Sequence, residues 1–380
     1  AQSPVHDSAS MKKHLIRVWA ATASALWAGT LGAADGGLRI LLAADTGRRT
    51  AGVADDAALT RIERVEQEAV AARVAPAAPA LPREGERAVY AFFPDAAYTV
   101  TVTRVTTGHG GASLVEGTCG KDARTRFQSV VARDGVRHEV HDFSCGRLYQ
   151  AAGPRGGALE VREYDDAKRP PKRDAALAAT GAAAALSADA PAGAAREAAG
   201  SSGGAVIDLM LVFDTTAQAW AAARGGVTVA ANAAVGKLNA ALANSGIDCT
   251  VRLAHVVSSG YTTAGSLYWD LTALAGGSGA LASVPGLRNT HGADLVGMLV
   301  DTGSAYGTTG MGYYPASAQG DASAAFTVCS IRSVNISQTL THEIGHNLGC
   351  GHSTFQRDDP GPSSAFPFAA GWYFTGDNGV

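Results

Sequence analysis

The stretch THEIGHNLGCGH, Thr341–His352, decides how the rest of this sequence is interpreted. His342 and His346 are four residues apart, so on a helix they lie one turn apart on the same face. Both imidazoles can then bind one metal ion, at about 2.0–2.1 Å from each ring nitrogen if the metal is zinc. Glu343 lies beside them, where a carboxylate can act on a water molecule instead of binding the metal. This spacing predicts a helix that carries a metal site.

The third histidine can reach the same point only if the helix ends. A continuing helix would carry His352 away, so the chain has to turn after His346. Gly349 supplies that turn, because glycine adopts the left-handed conformation without a Cβ clash. Three protein ligands leave one position open for water, which is typical of a catalytic zinc site. The opposite face of the helix is predicted to pack on a core through the apolar stripe of Ile336, Leu340, Ile344 and Leu348.

These residues resemble the metzincin metalloproteases, whose motif HExxHxxGxxH is matched at every fixed position. The resemblance implies a zinc-dependent endopeptidase with one catalytic Zn²⁺ held by His342, His346 and His352. Glu343 would be the general base, taking a proton from the zinc-activated water and returning it to the leaving amine. Thermolysin-like enzymes take their third ligand from a downstream glutamate instead, and no glutamate follows Glu343 in this sequence.

Length and composition set the broad class of the protein. The chain has 380 residues, enough for two domains, with 46% hydrophobic and 17% charged residues. Its formal net charge of −3 argues against a nucleic-acid partner and against binding to an anionic membrane surface. Arginine outnumbers lysine, and alanine and glycine are abundant, which favours a bacterial source with a GC-rich genome.

The N-terminal residues have the layout of a secretory signal peptide. Met11 opens a positively charged segment, which the uncharged run 18–31 and small residues at 32–34 follow. This layout predicts a signal peptide over residues 11–34, with residues 1–10 upstream of the natural start. A membrane anchor would need about 20 apolar residues, and this run is too short. We therefore expect a secreted, extracellular protein that has no membrane attachment once the signal peptide is removed.

Residues 35–172 are the predicted pro-segment. Ala57–Val74 looks helical, and alternating apolar and polar positions predict a small β-rich unit at about residues 83–164. Its size suits an inhibitory pro-domain, so the pro-segment is a predicted inhibitor of its own chain. Residues 173–205 are rich in alanine, glycine and serine, which predicts a linker with an activation cleavage site near residues 196–204.

Residues 206–380 are predicted to form the zinc metalloprotease catalytic domain. Apolar strand patterns alternate with helical ones, which predicts an α/β (α+β) fold, a mostly parallel twisted sheet covered by helices. This order is similar to the metzincin core, in which an edge strand precedes the active-site helix. Such a strand can bind protein or peptide substrates by main-chain hydrogen bonds. The candidate substrate-binding residues are Gly310, Met311, Gly312 and Tyr313. We expect a monomer.

The remaining histidines lack the spacing of metal ligands. His138 and His141 are three residues apart on a predicted strand, so they point to opposite faces. His109, His255 and His291 show no ligand spacing either, and we interpret them as structural.

The five cysteines fall into two groups. Cys119 and Cys145 belong to the pro-segment, and a disulfide between them is the simplest pairing for a secreted protein. The alternative is a switch, in which a pro-segment thiolate occupies the open zinc position until the segment is removed. Cys249, Cys329 and Cys350 are an odd number, which fits a partner further downstream.

Within the metzincins, the sequence is similar to secreted bacterial peptidyl-Asp metalloendopeptidases, relatives of the reprolysins. The similarity lies in the zinc motif, in residues 371–374 (GWYF) and in the preceding β-rich segment, and it implies cleavage next to acidic residues. Metzincins also carry a methionine in a turn after the third histidine, but none of the methionines here follows His352. They are Met11, Met210, Met298 and Met311. We therefore expect that the sequence is truncated before this turn, which leaves open an alternative function as an inactive, protease-like secreted binding protein.

Overall fold

The structure is a computed structural model, and it describes residues 39–43, 59–66, 81–93, 95–120, 125–169, 172–178, 204–304, 307–316 and 320–353. The predicted signal peptide, the predicted cleavage site and the segment that follows Ser353 lie outside these residues. Two sheets organise the described part of the chain. We call the first sheet and its connections (residues 39–169) the N-terminal unit, and residues 204–353 the C-terminal unit. No helix among the described residues is long and apolar enough to cross a membrane.

The N-terminal unit is a sheet of nine strands among the described residues, in the order β1-β3-β4-β5-β6-β7-β8-β9-β2. Strands β3 to β9 form an antiparallel meander, and β1 joins it in parallel with β3. One face of the meander encloses an apolar core that includes Tyr90, Phe92 and Phe127. The strands are β1 (Arg39–Ala43), β2 (Leu59–Glu66), β3 (Arg87–Phe93), β4 (Ala96–Thr107), β5 (Ser113–Cys119), β6 (Thr125–Val131), β7 (Gly135–Asp142), β8 (Arg147–Pro154) and β9 (Ala158–Asp165).

Strand β2 corrects a helix prediction. Its apolar residues recur every third position, which resembles a helical face, and the sequence therefore favoured a helix over Ala57–Val74. In the structure, β2 pairs antiparallel with β9, and the Thr60 hydroxyl donates to the Glu163 carbonyl oxygen at 3.1 Å. Pairing with the exposed edge of a sheet satisfies backbone groups on both strands, and this tertiary contact overrides the weak local pattern.

The second sheet is formed by strands of the C-terminal unit together with β10, which precedes that unit, and it is mixed, in the order β10-β14-β15-β13-β11-β12 within the described residues. The pairs β11–β12, β11–β13, β13–β15 and β10–β14 are parallel, and β14–β15 is antiparallel. The predicted mixed α/β class with a mostly parallel sheet is confirmed. The strands are β10 (Lys172–Ala178), β11 (Ala205–Phe213), β12 (Cys249–Ser258), β13 (Leu295–Val300), β14 (Gly307–Tyr314) and β15 (Phe326–Ser330).

Helices cover both faces of this sheet and bury two separate cores. One core packs α1, α2, α5 and α6 against the sheet, and the other packs α3 and α4 against its opposite face. Helix α4 was not predicted, because Pro285 and Gly286 in its first turn resemble a loop, although proline fits the first turn of a helix. The helices are α1 (Thr215–Ala222), α2 (Val227–Asn244), α3 (Leu267–Gly276), α4 (Val284–His291), α5 (Ile331–Ile336) and α6 (Thr339–Asn347).

Strand β10 changes the interpretation of the predicted linker and of the predicted edge strand. Its residues were assigned to the end of the pro-segment and the start of the linker, but they pair in parallel with β14, from Lys172 opposite Gly307 to Ala178 opposite Tyr314. Strand β14, which contains the predicted substrate-binding residues, is therefore not the outermost strand of the sheet. The edge that a peptide would need is covered by a segment of the same chain.

The cysteines are all free thiols. The predicted disulfide between Cys119 and Cys145 is absent, because Cys119 is buried at the end of β5 while Cys145 lies in the exposed turn after β7. The Cys145 thiol instead donates to the Asp142 carbonyl oxygen at 3.7 Å. Burial raises the pKa of Cys119 to about 12, with the Asp142 carboxylate adding to the effect. Cys119 packs within the apolar core of the N-terminal unit and has little access to a metal ion there, which argues against this thiol as the zinc-binding switch.

Candidate metal centre

Three histidine side chains converge at the end of α6. One ring nitrogen from each of His342, His346 and His352 lies within 4.8 Å of the other two, and the Nε2 atoms of His342 and His352 are 3.2 Å apart. His342 is exposed, whereas the other two rings are 2% and 5% exposed. Among the described residues, the cluster therefore reaches solvent through His342, while its other two rings are buried.

The turn after α6 is built as a glycine turn. Gly349 has a φ of +92°, and its amide donates to the His346 carbonyl oxygen at 2.9 Å. The Cys350 amide then donates to the Gly345 carbonyl oxygen at 2.9 Å, which closes the end of the helix. A side chain at position 349 would be strained in this conformation, so glycine allows the direct return of the chain to His352.

The predicted apolar stripe is only partly a feature of this helix. Leu340 and Ile344 are buried against the sheet. Ile336 is also buried, but it lies in α5 because α6 begins only at Thr339. Leu348 follows the last residue of α6 and is 40% exposed.

The histidine arrangement fits a tetrahedral metal ion. Two ligands about 2.05 Å from a tetrahedral zinc lie about 3.3–3.4 Å apart, close to the 3.2 Å between His342 and His352 Nε2. His346 Nδ1 donates to the Cys350 carbonyl oxygen at 2.8 Å, so its proton is on Nδ1 and Nε2 carries the lone pair that a metal requires. Neutral imidazole nitrogens are ligands that zinc prefers.

The Glu343 carboxylate lies beside strand β14 and is completely buried. A Cβ atom added to Gly310 would lie 2.1 Å from Glu343 Oε1, and one added to Gly312 would lie 3.3 Å from Oε2. The two glycines therefore leave the space that the carboxylate occupies. Met311 and Tyr313 alternate with them and belong to the core on the other face of the sheet. Of the four predicted substrate-binding residues, only the glycines lie on the face of β14 that contacts Glu343.

Asn347 is a feature of this site that the sequence analysis did not single out. Its Nδ2 donates to the carbonyl oxygens of Tyr313 at 2.7 Å, Ala324 at 3.0 Å and Phe326 at 3.0 Å. One buried amide thus joins the end of α6 to β14 and to the beginning of β15. In the sequence, only its position directly after His346 pointed to a role in the site. The carbonyl oxygens that accept its hydrogen bonds could be identified only from the placement of the strands.

The other histidines among the described residues do not belong to the metal centre. His138 and His141 point to opposite faces of β7, as predicted: His138 packs on Tyr90, and His141 Nε2 contacts the Asp166 carboxylate at 2.8 Å. The remaining three, interpreted as structural because they lack ligand spacing, are brought together by the fold. They form a row of rings in which His255 stacks on His291 at 3.7 Å and meets His109 edge-on at 5.9 Å.

A comparison with protein families agrees with the geometry of the site. The family model Reprolysin_5, Metallo-peptidase family M12, matches residues 205–374. The match supports a metallopeptidase. It covers the C-terminal unit, in which all three histidines lie, and metallopeptidases of family M12 use zinc.

Two solved structures are similar to parts of this chain. Metalloproteinase-II from Bacteroides fragilis has 11% sequence identity and a TM-score of 0.43, over 74% of this chain and 85% of that chain. A chain described as the structure of a chaperone-substrate complex has 14% identity and a TM-score of 0.31, over 60% of this chain and 31% of that chain. No curated protein matches the sequence.

Proposed function

We propose that this metallopeptidase is a secreted bacterial zinc endopeptidase, made as an inactive precursor. One observation carries the proposal: three histidine nitrogens converge within 4.8 Å of one another at the end of the helix that also carries Glu343. The proposed ligands are His342, His346 and His352. Zinc bound there would supply Lewis-acid chemistry, by lowering the pKa of water and polarising a carbonyl group.

The protein's own groups would provide the proton transfer and the positioning. Glu343 is the proposed general base, and its carboxylate would accept a proton and later donate it to the leaving amine. Its burial against Gly310 and Gly312 keeps the carboxylate close to the main chain of β14. The bond from His346 to the Cys350 carbonyl oxygen fixes the orientation of the imidazole ring.

Strand β14 is the proposed binding surface for the substrate main chain. The seven residues of β10 already pair with it, which supports its ability to hold an extended chain. Because β10 belongs to the segment before the predicted cleavage site, its pairing also supports inhibition by the pro-segment. By resemblance alone, we propose peptides with acidic residues as the substrate class.

A single substitution tests the proposed chemistry. Glu343→Gln should keep zinc bound but lower kcat at least about 100-fold, because general acid–base catalysis is worth that much or more. Zinc content by elemental analysis and the rate of hydrolysis of a protein substrate check both expectations. Glu160→Gln is the matched control, because Glu160 is a half-buried glutamate in β9. It should leave the zinc content and the rate of hydrolysis unchanged.

Two further outcomes distinguish the enzyme from the inactive binding protein. His346→Ala should lose the zinc, whereas His291→Ala should retain it. If the activated wild-type chain binds zinc but cleaves no peptide, the enzyme assignment is wrong and the alternative of an inactive, protease-like binding protein is favoured.

A further inference from the structure

The N-terminal unit contacts the C-terminal unit through the outer face of its sheet. Two apolar clusters cross this interface. In the first, Val130 and Ala132 pack with Val229 and Ala233 of α2. In the second, Leu148 and Tyr164 pack with Ile336, the last residue of α5. These side chains are all nearly inaccessible to solvent, as in the centre of a stable protein–protein interface.

A buried polar network lies between these two apolar clusters and centres on Asn335 of α5. Its carbonyl oxygen accepts from Gln150 Nε2 at 2.9 Å, from Arg137 Nη2 at 3.0 Å and from Lys237 Nζ at 2.6 Å. Its side-chain oxygen accepts from Arg137, and its Nδ2 donates to Gln150 Oε1 at 3.1 Å. The N-terminal unit thus holds the residue that precedes the metal-binding helix by only a few positions.

Glu139 completes this network as the single buried anion between two cations. It pairs with Arg137 and lies 3.5 Å from Lys237 Nζ, which comes from α2. Burial alone would raise the pKa of Glu139, but the charges of Lys237 and Arg137 lower it to about 2. A network in which each charge has a partner supports a unique docked arrangement, and removing one partner is costly.

Glycines allow the two units to approach closely, as two contacts show. A Cβ atom on Gly135 would lie 2.0 Å from the Gly225 carbonyl oxygen, so two backbones are in direct contact there. A Cβ atom on Gly108 would lie 2.2 Å from Asn232 Oδ1, and Asn232 exchanges two hydrogen bonds with the backbone of His109. Close approach of this kind indicates a surface shaped for one partner.

We infer that the N-terminal unit stays bound to the C-terminal unit after the chain between them is cut. The surface of α2 and α5 is then a docking site whose partner is the protein's own excised N-terminal unit. This inference rests on the proposed precursor, because it concerns how the metal centre is released. Strand β10 precedes the predicted cleavage site, so it would remain part of the excised fragment and keep its place on β14. Cleavage of the chain alone would therefore leave β14 covered by β10.

The full chain, changed only between the two units, can test this inference directly. A recognition sequence for a site-specific protease is placed within residues 179–203 of the full chain, and the purified protein is cut to completion. We expect the two fragments to elute together in size-exclusion chromatography at physiological salt, and peptide hydrolysis to remain at the level of the uncut chain. Separation of the fragments as soon as the chain is cut would overturn the inference.

Two variants then locate the docking surface. Gly135→Ala introduces a collision with the Gly225 backbone, and Arg137→Ala removes the central cation of the network. Each should weaken the association of the cut fragments about 30-fold or more, as expected for truncating a buried, hydrogen-bonded partner. Thermal unfolding of the uncut variants shows whether the units still fold. Fragments of both variants that associate as tightly as wild type would contradict the assigned surface.

Matched controls distinguish docking from general damage. Arg133→Ala removes another arginine of the same hairpin, but one that is almost fully exposed. Gly286→Ala adds a methyl group to α4 where no atom lies within 4 Å. Fragments of both control variants should elute together as in wild type.

Co-elution is independent of catalysis, so the inference and the proposed function can fail separately. A separated C-terminal fragment that binds zinc but cleaves nothing would count against the enzyme alone.

Discussion

At the scale of single residues, the position of the proposed general base depends on the missing side chain at residue 310. A Cβ atom there would lie within 2.1–2.7 Å of three atoms of the buried Glu343 side chain. Gly310→Ala should therefore displace the carboxylate, and a displacement of about 1 Å can cost about 100-fold in rate. We expect kcat to fall by about that factor while the zinc content stays at the wild-type level. Steady-state kinetics and elemental analysis test this expectation.

The control for Gly310→Ala is a glycine with open space around it. Gly286→Ala, in α4, should leave kcat unchanged, because its new methyl group meets no other atom within 4 Å. A Gly310→Ala enzyme with wild-type kcat would show that Glu343 does not need its present position.

Asn347 offers a second test at this scale. Its amide joins α6 to three carbonyl oxygens of the sheet, so Asn347→Ala should reduce the free energy of unfolding by about 1–3 kcal/mol and also lower kcat. Asn239→Ala is the matched control, because Asn239 joins α2 to Val251 by two hydrogen bonds away from the metal centre. Asn239→Ala should reduce the free energy of unfolding but leave kcat unchanged. Equal kcat values in the two variants would exclude a positioning role for Asn347.

The ligands could be predicted from the sequence, but their supporting residues could not. His342, His346 and His352 belong to one helix and one turn, so their spacing alone brings them together. Gly310 and Asn347 act across elements, and their contacts depend on which strand lies beside α6. Sequence periodicity carries no information about that neighbour.

At the scale of secondary-structure elements, β10 decides whether β14 is accessible. A proline removes the backbone N–H group, and alternate N–H groups of β10 point toward β14. Either Ala175→Pro or Ala176→Pro should therefore remove one bond of the ladder. We expect that variant to hydrolyse a short peptide about 3- to 10-fold faster in the uncut chain, as the loss of about 1 kcal/mol implies.

A proline outside the strand controls for this change. Ala185→Pro should leave the rate of the uncut chain as it is. If neither strand variant exceeds the rate of Ala185→Pro, β10 does not limit access to β14.

The elements themselves were predictable to different extents. Strands such as β11 and β13 are short, continuous apolar runs, and α2 has a regular apolar spacing, so both patterns predict the observed structure with ends shifted by a few residues. Strands β2 and β10 exist because other strands offer them a partner, β9 and β14 respectively. Their own sequences look helical or linker-like, and only the tertiary pairing makes them strands.

At the scale of the whole molecule, three histidines lie where the two units meet. His109 comes from the N-terminal unit, and His255 and His291 come from the C-terminal unit. Burial lowers the pKa of His109 and of His255, and the neighbouring His291 lowers both further. At His109, a hydrogen bond with the backbone of Leu253 partly opposes this lowering. The docked arrangement therefore favours neutral rings. Separation of the units would restore the ordinary pKa of about 6.5 at His109.

Two other ionisable groups of the interface also have shifted pKa values. Burial lowers the pKa of Lys237 to about 7 when docked, with Glu139 opposing the shift. The contribution of Lys237 to docking therefore weakens as the pH falls from its ordinary pKa to about 6, and is nearly constant at lower pH. Glu139, with its pKa near 2, changes only at lower pH than the histidines do. From α2, the non-titrating Asn232 bonds to the backbone of His109, and Thr228 lies beside Gly110.

We therefore expect association of the cut fragments to weaken as the pH falls from about 7 to about 5, because the separated state binds more protons. Each histidine that gains a proton only on separation raises the dissociation constant by at most about tenfold for each pH unit of acidification. The dissociation constant of the cut wild-type chain, measured across this range, tests the sign. His109→Gln should flatten the dependence, whereas His141→Gln, on a ring paired with Asp166 outside the cluster, should keep it. A wild-type dissociation constant that stays unchanged or falls with acidification would show that the cluster does not couple docking to pH.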